Sequence, residues 1–171
     1  MSKIIILLFS IFLFEMESCT KVEVQAENQT KIEGKWTLKH KFLGDAIDTP
    51  CGYAVTDARD ITLEIAKDTE SKESNVYKFN GNSAVNVYFG NLKINTTNAS
   101  NGISTVTIGQ LGSTKMAGSP EHMQCETGYF DMLSQSVEIR LENNQLQIGV
   151  FKKDNTPSRD GGTYLIYEKD N

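Results

Sequence analysis

The 171-residue chain is predicted to fold as a strand-rich α+β domain: a single curved antiparallel sheet or an incomplete, cracked β-barrel, with one main helix packed across it. Three observations predict this. Eight or nine short stretches alternate apolar and polar residues at the period of a half-buried strand. Clusters of Asn, Gly and Asp separate them at short intervals. One stretch alone, within Ile108 to Leu133, changes to helical spacing after a Gly/Ser loop.

Residues 1–18 stand apart from that domain. Lys3 is followed by the apolar run Ile4 to Phe14, which is too short to span a bilayer and has the form of an export signal. Ser18-Cys19 then places a small residue before a cysteine, as in a bacterial lipoprotein signal, so Cys19 is the expected acylation site. Met16 and Glu17 depart from the usual lipobox, and plain secretion with cleavage elsewhere stays open as the alternative. Acyl chains at Cys19 would anchor the protein to a membrane, and residues 19–33, polar and with only a weak Val22/Val24 alternation, read as a tether.

Residues 34–171 are then a single domain of ordinary size. In Lys35 to Leu43, Trp36, Leu38, His40 and Phe42 alternate with lysines and threonine, which predicts a strand with Trp36 as core anchor and His40 as a structural histidine on the inner face. Gly44 to Arg59 reads as a long loop holding Pro50-Cys51-Gly52. Ile61, Leu63 and Ile65 mark a strand, and Lys67 to Asn75 a charged turn. Val76 to Phe79, Ser83 to Phe89 and Leu92 to Ile94 read as hairpin strands, with turns at Asn80-Gly81-Asn82 and Gly90-Asn91. Asn95 to Gly102 is an exposed polar loop, and Ser104 to Ile108 a strand.

The helix has a clear start. Ser119 can cap the free amides, Pro120 at the first position is already set in φ, and Glu121 meets the positive end of the dipole. Met123, Phe130, Leu133 and Val137 form one apolar stripe, with Cys125, Tyr129 and Met132 beside it; Gly128 weakens the helix by about 1 kcal/mol. Strands follow at Val137 to Leu141, Leu146 to Val150 and Tyr164 to Ile166, with a turn at Asn143-Asn144 and a loop from Lys153 to Gly162.

Charge and motifs exclude more than they name. The formal net charge is −5, and no basic run exceeds Lys152-Lys153, which argues against a nucleic-acid partner. There is no Gly-x-Ser-x-Gly elbow, P-loop or His-Glu-x-x-His, and His40 and His122 are the only histidines. No catalytic residue, metal site or cofactor is expected, since His122 and Cys125 are ligand-spaced without two further ligands. The aromatic residues Tyr77, Phe79, Tyr88, Phe89, Tyr129 and Phe130 read as core. With Cys19 lipidated, Cys51 and Cys125 are the thiols left in an exported chain, and a disulfide is expected to join the first long loop to the helix.

Several patterns together resemble a known family. Trp36 opens the domain; G-x-S-x-x-N-x-Y-x-G runs from Gly81 to Gly90, L-x-x-T-x-M-A from Leu111 to Ala117, and E-x-x-x-F-x-x-L from Glu126 to Leu133, before a Leu146-x-Ile148 strand. This combination resembles the META domain, the HslJ-like family of small envelope and secreted proteins, over about Gly34 to Lys169. The resemblance implies a strand-rich fold with a helix across it, similar to the cracked barrel of a secretion pilotin lipoprotein. It also implies links to envelope stress and drug tolerance, and it supplies no catalytic residues. The family's usual cysteine pair falls at Val85 and Gly118, and the loss of both at once is consistent with a bridge for which Cys51 and Cys125 substitute nearby.

Two functions follow as expectations. The first is a lipid-anchored module of the cell envelope, at the outer membrane. It would hold a lipid, a lipophilic ligand or an envelope-protein segment in an apolar groove beside Phe130, Leu133 and Val137. The second is a secreted protease-inhibitor-like or hydrolytic protein with its site in the long loops.

Overall fold

The computed structural model describes residues 32–98, 100–152 and 160–170. Among these described residues, ten strands and one helix follow in the order β1 (Gly34–Leu43), β2 (Ala46–Asp48), β3 (Thr62–Lys67), β4 (Val76–Asn82), β5 (Val87–Asn98), β6 (Ile103–Ile108), β7 (Gly112–Ser113), α1 (Pro120–Ser134), β8 (Glu138–Glu142), β9 (Gln145–Phe151) and β10 (Gly162–Lys169). The signal segment, Cys19 and most of the tether lie outside the described residues, as does most of the loop from Lys153.

The class is strand-rich α+β with one helix, but the barrel is closed rather than cracked. Eight antiparallel strands run β10-β9-β8-β6-β5-β4-β3-β1, and β1 pairs back onto β10, from Trp36 opposite Lys169 to Leu43 opposite Thr163. Closure removes the exposed edges that an open sheet would carry. The thinnest seam is β6–β8, where Ser104 and Thr105 face Ile139 and Glu138, extended by Val106 N–H donating to Val137 O at 2.8 Å. The short strands β2 and β7 sit outside this ring, on β1 and β5.

Inward residues of every wall strand fill the interior, so it is packed rather than hollow. Trp36, Tyr77, Tyr88, Tyr129 and Tyr167 are its largest fully buried side chains, among Leu63, Ile65, Leu92, Leu133, Ile139 and Leu146. Trp36 Nε1 donates to Ile32 O at 2.9 Å, which brings buried Ile32 into the domain.

Local rules give way to packing at four places. His40 is exposed, not on the inner face, because the β1–β10 register shifts between Leu38 and His40 and the inward alternation stops there. Gly81 and Gly90 are strand residues, not turns; a Cβ on Gly81 would lie 1.9 Å from Thr62 O, so glycine is needed for close backbone approach. The turn between β4 and β5 is Ser83 to Asn86, and β5 extends through the expected polar loop to Asn98. The expected turn at Asn143-Asn144, by contrast, follows the local rule: both residues take positive φ, 50° and 63°, as a two-residue hairpin turn requires.

Candidate functional site at the helix-capped end

The helix starts at Pro120, where Ser119 Oγ accepts from His122 N at 3.2 Å, and stops at Ser134. It lies over the barrel end that carries the β4–β5 turn and the loop after β2. Its buried ridge is Cys125, Glu126, Tyr129 and Leu133. These positions recur at three- and four-residue spacing, so they share one face. Each of the first three makes a different kind of fastening.

Glu126 is 4% exposed, and among the described residues no cation forms an ion pair with its carboxylate. Oε2 accepts from Ser83 Oγ, from Asn86 N at 2.7 Å and from Val85 N at 3.2 Å, while Oε1 accepts from Asn86 Nδ2 at 2.7 Å. Burial pushes this carboxyl upward, but the donors from Ser83, Asn86 and Val85 outweigh it and hold the group below its ordinary range. Asn86 Oδ1 in turn accepts from Thr114 Oγ1 at 2.8 Å and Met116 N at 2.7 Å, so the side-chain amide pairs with the chain after β7 as a strand would. Arg59 closes the far side, Nε donating to Ser83 O at 2.6 Å and a terminal nitrogen to Asn86 O at 2.5 Å.

Tyr129 enters the core between two other tyrosines. Its hydroxyl lies 2.5 Å from Tyr88 Oη and 3.0 Å from Tyr167 Oη, and Tyr88 donates to Thr62 O at 2.7 Å. Each hydroxyl has one proton, which fixes the direction: Tyr167 donates to Tyr129, Tyr129 to Tyr88, and Tyr88 to the backbone. Burial raises all three phenols well above their ordinary value, so they stay neutral. The Tyr88 ring also meets Phe130 edge-on at 5.5 Å.

Cys125 is bonded to Cys51, with Cα atoms 4.9 Å apart. The bridge ties the loop after β2 to the helix, and nearby His122 Nε2 lies 3.0 Å from Asp57 Oδ1. His122 lowers the Asp57 carboxyl, chiefly through that hydrogen bond. Cys125 in a disulfide is no metal ligand, and among the described residues no cluster of three ligand-type side chains occurs.

The three groove candidates do not converge. Leu133 is in the core, Phe130 is half-buried against Tyr88, and Val137 lies beyond the helix end and is 50% exposed. Two open concavities occur elsewhere. One, of about 490 Å³, lies between Met132 of α1 and Gln135 just after it and Val150 and Phe151 of β9; the other, of about 270 Å³, lies over Gly81 on the outer wall. Neither is lined by the three groove candidates or by His40 or His122. The roles of Ser83, Asn86 and Glu126 went unread in the sequence, although Glu126, three before Tyr129 and seven before Leu133, falls on the buried face by spacing alone.

The fold and its fastenings define a closed antiparallel barrel whose helix is pinned by a disulfide, a buried carboxylate and a chain of tyrosine hydroxyls. A META domain family model matches residues 28–158, and the chain belongs to that family. A search of curated proteins finds no match. A solved NMR structure of a protein from Burkholderia xenovorans is similar in fold at 18% identity, with a TM-score of 0.52, covering 96% of this chain and 99% of that one. The positions of the family's usual cysteine pair are neighbours here: a Cβ built on Gly118 would lie 3.5 Å from the Val85 Cβ, within the range of a disulfide.

Proposed function

We propose that the protein is exported, acylated at Cys19 and held at the outer membrane, with its barrel serving the cell envelope as a binding module for an apolar ligand or a partner segment. The observation that carries this reading is where the chain enters the fold. Gly34 pairs with Ile65, and β1 then runs toward β2 and the loop bonded to α1. A tether running from Cys19 to Gly34 would therefore meet the barrel at the end away from α1 and would leave the helix-capped end free to meet a ligand. The polar groups at that end support binding over catalysis, since Glu126 and the three tyrosines are all occupied in holding the helix. No helix among the described residues is long and apolar enough to cross a membrane, and a lipid at Cys19 would supply the attachment.

The test is detergent phase partition of the expressed full chain with and without globomycin, beside Cys19→Ala. Partition into detergent that is abolished by the substitution, and precursor accumulation under globomycin, is the expected result. Normal maturation of Cys19→Ala with wild type in the aqueous phase overturns the anchor.

A further inference from the structure

We infer that α1 is a disulfide-locked lid, and that the Tyr129 side chain fills a slot which, once the Cys51–Cys125 bridge is reduced by an external dithiol, takes an amphiphile with an apolar body and one hydroxyl or protonated carboxyl head. The inference rests on the binding-module reading and says where and when that module binds.

The lid follows from how little of the helix is buried. Of fifteen residues in α1, four are buried, and two of these, Cys125 and Glu126, are the covalent and the polar fastening. Tyr129 and Leu133 are the fully buried apolar contacts. The wall closes without them, because β10 pairs with β9 on one edge and β1 on the other. Lifting α1 therefore opens one end of a barrel whose strands remain paired.

The slot follows from the proton direction along the tyrosines. With Tyr129 withdrawn, Tyr88 Oη, which donates to Thr62 O, is left as an acceptor, and Tyr167 Oη is left as a donor. A buried donor facing a buried acceptor is satisfied by one group that both accepts and donates. An alcohol, a phenol or a neutral carboxylic acid does this; an ammonium cannot accept, and a carboxylate cannot donate. The space left by Tyr129 and Leu133 adds an apolar volume lined by the Tyr88 ring.

The lock is reachable. Cys125 is buried, but Cys51 is half-buried on a loop that carries no strand between Asp48 and Thr62. A dithiol's thiolate attacks Cys51 Sγ and expels Cys125 as a thiolate, which takes a proton from water. The dithiol's second thiolate then breaks the mixed disulfide and frees Cys51, which is protonated in turn. Two electrons pass to the protein, and the dithiol leaves as its disulfide.

The experiment follows hydrogen exchange and binding of 11-(dansylamino)undecanoic acid at mildly acidic pH, on oxidised protein, dithiothreitol-reduced protein and Cys51→Ser. Reduction is expected to speed exchange in residues 120–134 by a larger factor than in β1, β9 and β10, whose protection falls only with global stability. It is also expected to tighten probe binding about tenfold, as the open fraction rises. Oxidised Tyr129→Ala, which empties the slot without unlocking the helix, is expected to bind 4-methylphenol where wild type does not. Equal probe affinity in both redox states overturns the lock while leaving the binding module standing. Selective opening of α1 with no probe bound, or folded Tyr129→Ala that ignores 4-methylphenol, overturns the slot. Exchange speeded by one common factor in helix and strands overturns the lid and makes the bridge a plain staple.

Discussion

The barrel wall and the helix are held by opposite means. Each wall strand is held along its length by ladder hydrogen bonds and by inward side chains, so its stability is spread over many small contributions. The helix is held at a few points, each of a different chemistry. A spread attachment weakens gradually under mutation, whereas a pointwise one loses a large share of its hold with each point removed.

That contrast can be broken most strongly at the bridge. Cys51→Ser is expected to cost about 4 kcal/mol of global stability on the loop-entropy account for a separation of 74, read as the loss in chemical denaturation. A loss under about 1 kcal/mol would mean that the bridge adds nothing to the polar fastening. Next is the carboxylate: Glu126→Ala strands four donors and should cost about 3 kcal/mol, while Glu126→Gln, which keeps the shape but brings an unwanted donor, should cost less. The sign of the pH dependence also follows. Because the folded group titrates below its ordinary value near 4.5, its contribution is full above that value and is lost as pH falls through the lowered one. Thermal melts from pH 6 to 3 should show this loss in wild type, and Glu126→Gln should flatten it.

A smaller effect runs the other way. Val85→Cys with Gly118→Cys should form a second bridge beside the first, since the two Cβ positions already lie at bonding separation, and should add about 2 kcal/mol. Intact mass under alkylation without reductant reads the outcome, and two free thiols there would show that the backbone at Gly118 departs from this geometry. Smallest is Gly128→Ala. A Cβ there meets nothing within 4 Å, so the change should stabilise the domain by about 1 kcal/mol through helix propensity alone. If it does not, α1 frays in the folded state.

The comparison also explains what could be read in the sequence. The wall strands were legible because alternation at Trp36-x-Leu38 or Ile61-x-Leu63-x-Ile65 records one buried face directly. The helix start was legible because Ser119-Pro120-Glu121 is a local device. Barrel closure was not, since nothing local distinguishes an edge strand from one that meets a partner far along the chain. His40 was misplaced because a bulge shifts register without leaving a mark in composition. Gly81 and Gly90 were read as turns because Asn-Gly pairs do favour turns, yet here the backbone of β3 and the ring of Phe79 need the space. At the site, the cysteines were legible by their number and by the export expected from residues 1–18. The Glu126 fastening was not, because a buried carboxylate reads as an exposed one until its donors are known.

The pairing of β1 with β10 sets when the domain can form. Thr37 Oγ1 donates to Asp170 across 133 positions of sequence, and the strands around it join the first and last elements of the fold. Until β10 is available, β1 keeps an open edge and Trp36 lacks part of its enclosure. Contacts so distant in sequence form late and slowly. Were the chain exported as proposed, N-terminus first, it would stay without its final structure until nearly all of it had crossed.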